Sequence, residues 1–120
     1  NGGEASDVSQ PERTGNAAVY IIDGTFDDIT SVDTNLLVQD NSDATAIIDD
    51  FGFTGLGWCS YNQISHVISP IPGKVLVFRT HDNKYAKIEI LNFYHSEITN
   101  PYGGYYTFNY VYLQGGQLDF

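Results

Sequence analysis

Alternation of hydrophobic and polar positions is clearest in the C-terminal half of the chain, where it predicts β-strands. In residues 85–91, alanine and isoleucine alternate with lysine and glutamate, so we expect one face of the strand to be buried and the other to be exposed to solvent. An apolar segment, 74–80, precedes a tight turn, and an aromatic segment, 105–113, comes later. The pattern therefore predicts an antiparallel three-stranded meander over residues 74–113.

The N-terminal half is less regular and predicts fewer elements. A short apolar run at 17–22, ended by an Asp-Gly pair, is typical of a mostly buried strand. Apolar residues between positions 26 and 38 allow only a weak helical turn, because Thr, Ser, Asp and Asn lie between them. Three glycines within 51–58 exclude a regular helix. The predicted fold class is all-β, with long loops and little helix.

Length and composition bound the organisation of the chain. A chain of 120 residues predicts a single β domain over 1–120, because a second core could not be filled. Residues 1–16 are polar and aperiodic, and we expect them to form an N-terminal arm. The single cysteine, Cys59, follows Trp58 and is predicted to be a small buried apolar residue.

The charge distribution excludes some partners. The net charge is −10, and residues 1–73 hold eleven acidic residues against one arginine. A phosphate backbone would be repelled by this part of the chain, so nucleic acid is not an expected partner, and anionic membrane surfaces are excluded for the same reason. No apolar run approaches the ~20 residues that a bilayer requires, so no membrane span is predicted.

Particular segments carry a resemblance to a known family. They are residues 66–75, 78–91, 105–112, 57–62, 23–26 and 1–3. Through them the chain resembles the HmuY-like haem-binding proteins of Bacteroidetes over nearly its whole length. The resemblance implies the all-β HmuY-like fold, a location outside the cell or at its outer surface, and capture of haem for an outer-membrane receptor. It also implies that this chain lacks the family's N-terminal segment and has an open sheet edge.

Haem binding needs donors for the iron. The chain has no methionine, so histidine–methionine ligation is excluded. His66 and His95 are the predicted haem ligands, because both lie where loops are expected, whereas His81 is expected at an exposed hairpin tip. Tyr94 and Tyr102 are predicted to contact the porphyrin as flanking aromatic residues.

The sequence signals for functions other than haem binding are weaker. The chain has no nucleophile elbow, zinc-protease motif or phosphate loop, so it is predicted not to be an enzyme and to have no catalytic residues. Calcium bound by Asp40, Asp43, Asp49 and Asp50 stays open as an alternative, although the prediction is that no metal ion is bound directly by the side chains. The alternative function is a structural subunit of an extracellular assembly or filament. Such a subunit would self-associate by strand exchange at the open edge and bind no haem.

Overall fold

The computed structural model describes residues 14–41, 46–47, 53–95 and 103–120. Within these ranges the all-β class with little helix is confirmed, and the one helical element is a 3₁₀ turn, Thr34–Leu36. None of the helical structure in this part of the chain is long and apolar enough to cross a membrane. The strands are β1 (Ala18–Asp23), β2 (Cys59–Asn62), β3 (Val67–Pro70), β4 (Lys74–Arg79), β5 (Tyr85–Tyr94) and β6 (Gly103–Leu113).

Four strands form the main sheet in the order β1–β4–β5–β6, and every neighbouring pair is antiparallel. The predicted meander is confirmed, because β4, β5 and β6 pair in chain order. The predicted N-terminal strand is present as β1 and pairs with β4. Strands β2 and β3 form a separate antiparallel hairpin that the hydrophobic pattern did not predict.

β5 and β6 are longer than the alternation predicts. β5 continues to Tyr94 past an extra residue between Ile90 and Asn92. Pairing with β6 resumes at Asn92 and Thr107 and, after a second irregularity, at Tyr94 and Gly103. β6 begins at Gly103, and Gly104 adopts a φ of +96°, a backbone conformation that favours glycine. The bulge shifts the side-chain alternation, so a strict period of two could not reveal the end of β5.

One face of the main sheet, which we call face A, packs against the loop after β1. Tyr20, Val75, Val77, Tyr85 and Leu113 form its buried cluster with Ile29 and Val32 of that loop. The hydroxyl of Tyr20 accepts a hydrogen bond from the backbone N–H of Asp33 at 3.0 Å, which fixes the loop to the sheet. Burial raises the pKa of this tyrosine above its ordinary value.

A buried lysine completes the attachment of this loop. Lys87 of β5 is 5% exposed, and its Nζ donates to the carbonyl oxygens of Phe26 at 2.6 Å and Ile29 at 2.9 Å. The same ammonium lies 4.3 Å from the ring centroid of Phe26. The alternation in β5 predicts a solvent-facing lysine at this position, and that expectation is wrong because the loop covers face A and supplies two acceptors.

The opposite face, which we call face B, is covered only in part by the described residues. Val19 and Leu76 pack there against Trp58 and Cys59. Cys59 is the first residue of β2, and Trp58 directly precedes it. The prediction that Cys59 is buried is confirmed. The hairpin therefore covers one end of face B and creates the site described below.

The tight hairpin predicted between β4 and β5 is confirmed. Asn83 adopts a φ of 58°, and the Thr80 N–H donates to the carbonyl of Lys84 at 2.8 Å. The carboxylate of Asp82 lies 2.8 Å from the Lys84 ammonium and accepts from the Thr80 hydroxyl, and these contacts lower the pKa of Asp82 to about 2.

Of the predicted N-terminal arm only residues 14–16 are described, and the Asn16 carbonyl accepts from Arg79 Nε at 3.0 Å.

Candidate functional site

The β2–β3 hairpin carries the residues that build the site. Its turn is stabilised by Asn62, whose side-chain oxygen accepts from the N–H groups of Ile64 at 2.9 Å and Ser65 at 3.0 Å. His66 closes the turn with a φ of 58°, and its N–H donates to the Asn62 carbonyl at 2.8 Å. This left-handed backbone aims the imidazole of His66 back across the hairpin toward Tyr61.

An apolar cavity lies between this hairpin and the ends of β5 and β6. Its volume is about 460 Å³, and it is lined by Phe53, Trp58, Cys59, Tyr61, Ile68, Phe93 and Tyr106. Five of these seven residues are aromatic, so ring faces and edges make most of the wall. Cavities of a few hundred Å³ with apolar and aromatic walls are typical of small-molecule sites.

Ring packing fixes the floor of the cavity. The centroids of Phe93 and Tyr106 are 5.1 Å apart with their planes at 74°, and Trp58 lies 6.0 Å from Phe93 and 5.8 Å from Tyr106. These distances are typical of favourable edge-to-face and tilted pairs. Because Trp58 directly precedes β2 while Phe93 and Tyr106 belong to β5 and β6, their packing joins the hairpin to the main sheet.

Polar groups at the cavity edge come from Tyr61 and His66. The Tyr61 hydroxyl lies 2.6 Å from His66 Nδ1, a short hydrogen-bond distance. The ring of Tyr61 also packs edge-on against Phe53 with centroids 5.8 Å apart. The phenol is thus held on one side by an aromatic ring and on the other by an imidazole, at the boundary between the cavity and solvent.

Tyr94, a predicted porphyrin contact, attaches β5 to the hairpin. Its hydroxyl accepts from the N–H of Ile68 at 2.6 Å, and its ring packs edge-on against Phe93 with centroids 5.2 Å apart. Both Ile68 and Phe93 line the cavity. Tyr94 therefore supports the wall from behind, and direct contact with a porphyrin stays a prediction. Tyr102, the other predicted contact, lies outside the described residues.

The two predicted haem ligands are placed against different tyrosines. His66 contacts Tyr61, whereas the ring of His95 packs edge-on against Tyr105 with centroids 5.2 Å apart. Tyr61 is among the residues that line the cavity, whereas Tyr105 is not. The structure therefore puts His66 beside the cavity and His95 against a tyrosine outside the cavity lining. Ligation by both histidines stays a prediction.

The remaining candidates are spread over the chain. His81 is exposed at the β4–β5 hairpin tip, as expected from the sequence. Of the four aspartates considered for calcium, the structure describes Asp40 alone, and its carboxylate accepts from the Ala46 N–H at 2.7 Å. Within the described ranges, no group of three or more His, Cys, Asp or Glu side chains is arranged to hold a metal ion.

Sequence reasoning missed the residues that form the cavity wall. Trp58, Tyr61 and Phe93 are each separated from the aromatic strand by many residues, and only the fold brings them to Tyr106. A local signal exists in the close succession of Trp58 and Tyr61 around a single cysteine, which places one large ring just before the short strand β2 and another on it. Comparisons with protein families, with curated proteins and with solved structures found no match for this chain.

Proposed function

We propose that this chain is a non-enzymatic haem-binding protein that takes the porphyrin into the aromatic cavity between the β2–β3 hairpin and the β5–β6 end. The observation that carries the proposal is a cavity of about 460 Å³ with five aromatic wall residues and a tyrosine–histidine pair at its edge. A porphyrin is a flat apolar macrocycle, and stacked or edge-on aromatic rings are suitable walls for it.

The donor set at the cavity also fits haem. Proteins hold haem iron through histidine, cysteine, methionine or tyrosine side chains, and two of these residue types meet here. Bound haem would supply an iron centre that such donors could hold. The Tyr61 phenol lines the cavity, and its proton is directed to His66 Nδ1 when the imidazole is protonated on its other nitrogen.

In this arrangement Tyr61 would be the residue that holds the iron, and His66 would be a positioning residue. An imidazole that accepts the phenolic proton increases electron density on the phenolic oxygen, which favours binding to ferric iron. His66 itself is fixed by the Asn62 turn, so the phenol has one preferred direction. His95, which the sequence predicts as a second ligand, is tested by the His95→Gln variant in the haemin titration below.

The cellular setting of the proposal follows from the sequence resemblance. The HmuY-like family implies an extracellular protein or one at the outer cell surface, which passes haem to an outer-membrane receptor. Capture without chemical conversion requires a site that holds the porphyrin and leaves it intact. The apolar cavity, with its polar pair at the edge, suits that role.

A haemin titration followed by visible absorption tests the proposal. The wild-type chain should give a saturable Soret band at one haem per chain, and Tyr61→Phe should shift the ligand-to-iron bands and weaken binding at least tenfold. His66→Gln should weaken binding less, because the phenol remains. Tyr110→Phe and His81→Gln are matched controls, since each removes the same group from an exposed position outside the cavity lining.

Two results would overturn this assignment. Failure of the wild-type chain to give a saturable band would remove haem as the ligand. Loss of the band in His95→Gln, with Tyr61→Phe and His66→Gln unchanged, would place the iron away from the cavity edge.

A further inference from the structure

Gly103, the first residue of β6, lies directly against the ring of Phe93. A Cβ atom at Gly103 would overlap Cε1 of that ring and would lie 2.8 Å from Cζ. Carbon atoms in favourable contact are about 3.5–4.0 Å apart, so the ring occupies the place that a side chain at this position would take. The Phe93 ring can therefore lie where it does only because residue 103 has no side chain.

The backbone of Gly103 does not by itself require a glycine. Its neighbour Gly104 has a φ of +96°, whereas Gly103 is not among the residues with a positive φ, so alanine is compatible with its backbone. The irregular pairing at this end of the sheet joins Gly103 to Tyr94, the residue next to Phe93. The steric requirement for glycine thus comes from the aromatic ring on the neighbouring strand.

The Phe93 ring is held in place by its other contacts. Its centroid lies 6.0 Å from that of Trp58 and 5.1 Å from that of Tyr106, and these two rings also line the cavity. Asn92 Oδ1 accepts from the Phe93 N–H at 2.8 Å, which fixes the backbone. Phe93 lines the cavity and Gly103 does not, so a ring that moves away from Gly103 moves toward the open space.

We propose that Gly103 determines the size of the ligand that the cavity admits, because it leaves the space in which the Phe93 ring lies. A side chain at position 103 displaces the ring until the two are in ordinary contact, and the ring then takes volume from the cavity of about 460 Å³. Gly103 is thus a positioning residue that acts through Phe93. A porphyrin as the large ligand rests on the proposed function, whereas the effect of Gly103 on the cavity does not.

Fluorescence titrations with two probes of different size test this role. The large probe is metal-free protoporphyrin, and the small one is N-phenyl-1-naphthylamine, an uncharged aromatic molecule. Gly103→Ala should weaken porphyrin binding about tenfold and naphthylamine binding about threefold, since the smaller molecule needs less of the cavity. Neither probe contains iron, so both results are independent of iron binding.

Gly115→Ala is the matched control. A Cβ atom at Gly115 would meet Gln117, an exposed side chain in the segment after β6, outside the cavity lining. The substitution has the same effect on the freedom of the unfolded chain as Gly103→Ala. Both probe affinities should stay at the wild-type values.

A second substitution shows whether Gly103 acts through the Phe93 ring. Leucine lacks the Cε and Cζ atoms of phenylalanine, so Phe93→Leu removes the atoms closest to a side chain at position 103. In the Phe93→Leu background, Gly103→Ala should change either affinity less than about twofold. Emission of Trp58 in the ligand-free chain should shift with Gly103→Ala alone and stay constant in that background. If Gly103→Ala alone does not fold, recovery of folding and probe binding in the double variant supports the same coupling.

Three results would overturn the role of Gly103. Unchanged affinity for both probes in Gly103→Ala would do so and leave the proposed function in place. Equal losses in the wild-type and Phe93→Leu backgrounds would show that the glycine acts through the β6 backbone. A wild-type chain that binds neither probe would overturn this role and the proposed function together. Binding of naphthylamine without porphyrin would remove haem alone, and the threefold loss in Gly103→Ala would still support the role of the glycine.

Discussion

β4 and β6 are both strongly apolar strands, yet they have opposite environments. Val75, Leu76 and Val77 of β4 are 0%, 1% and 0% exposed, whereas the aromatic residues of β6 are about half exposed. The difference arises from position in the sheet, because β4 lies between β1 and β5 and β6 lies at an edge. Hydrophobic composition thus identifies both strands, but the neighbours of each strand decide whether its side chains stabilise the fold or remain available for binding.

The largest expected difference between β4 and β6 is the loss of unfolding free energy when one side chain of each strand is truncated to alanine. Leu76→Ala should lower the free energy of unfolding by about 3–4 kcal/mol, because it opens a cavity in a fully packed site. Tyr110→Ala, at a half-exposed position of β6, should change it by less than about 1 kcal/mol. Urea unfolding of both variants measures the difference. Equal losses would show that β6 is part of the core.

A second prediction concerns Lys87, the buried polar residue of face A. Lys87→Met keeps the length of the side chain but removes the donor to the Phe26 and Ile29 carbonyls. Unfolding free energy should fall by about 2–3 kcal/mol, because two carbonyls lose their buried partner. Lys84→Met, at a half-exposed position of the β4–β5 turn, is the control and should have a small effect. A Lys87→Met variant as stable as the wild type would contradict this role.

Tyr94→Phe should have a smaller effect that is confined to the cavity. The change leaves the Ile68 N–H without the phenolic acceptor and should cost about 1 kcal/mol of stability. Because the hydroxyl joins β5 to β3, hydrogen exchange at Ile68 should accelerate while exchange in β4 stays slow. Uniform acceleration over both sheets would mean that the hairpin and the main sheet unfold as one unit.

The smallest effect is expected from the Asp82–Lys84 pair at the exposed turn. Its partners lower the pKa of Asp82 to about 2, so the contribution of this carboxylate to stability is present above its unfolded pKa of 3.8. It is lost as the pH falls from about 4 toward 2. Asp82→Asn should therefore flatten the decrease of stability in this interval, as measured by thermal melts at each pH. An unchanged acid dependence would show that the ion pair contributes nothing.

Much of the main sheet could be predicted from the sequence. Alternation in β5, the Asp-Asn turn and the aromatic β6 determine the meander, because they act through local backbone geometry and one-sided burial. Burial of Cys59 was also predictable from its apolar neighbour Trp58. The environment of Lys87 was not, because its acceptors lie 58 and 61 residues away along the chain.

The candidate site was predictable only in fragments. His66 was identified as a histidine in a loop, but its partner Tyr61 was not, since their contact depends on a turn with a left-handed backbone at His66. The cavity depends on long-range packing of Trp58 against Phe93 and Tyr106, which no local pattern encodes. The aromatic segment 105–113 was predictable as a strand, but the exposure of its side chains follows from the position of β6 at the edge of the sheet.

Fluorescence of Trp58 during a haemin titration tests the central claim most directly, because this residue is the single tryptophan of the chain and lines the cavity. The account predicts saturable quenching at one haemin per chain that parallels the Soret band, with weaker quenching in Tyr61→Phe. Metal-free protoporphyrin should quench as well, but with lower affinity, because the walls remain while the iron contact is lost. A Soret band without quenching would place haem outside the cavity, and absence of both would contradict haem binding itself.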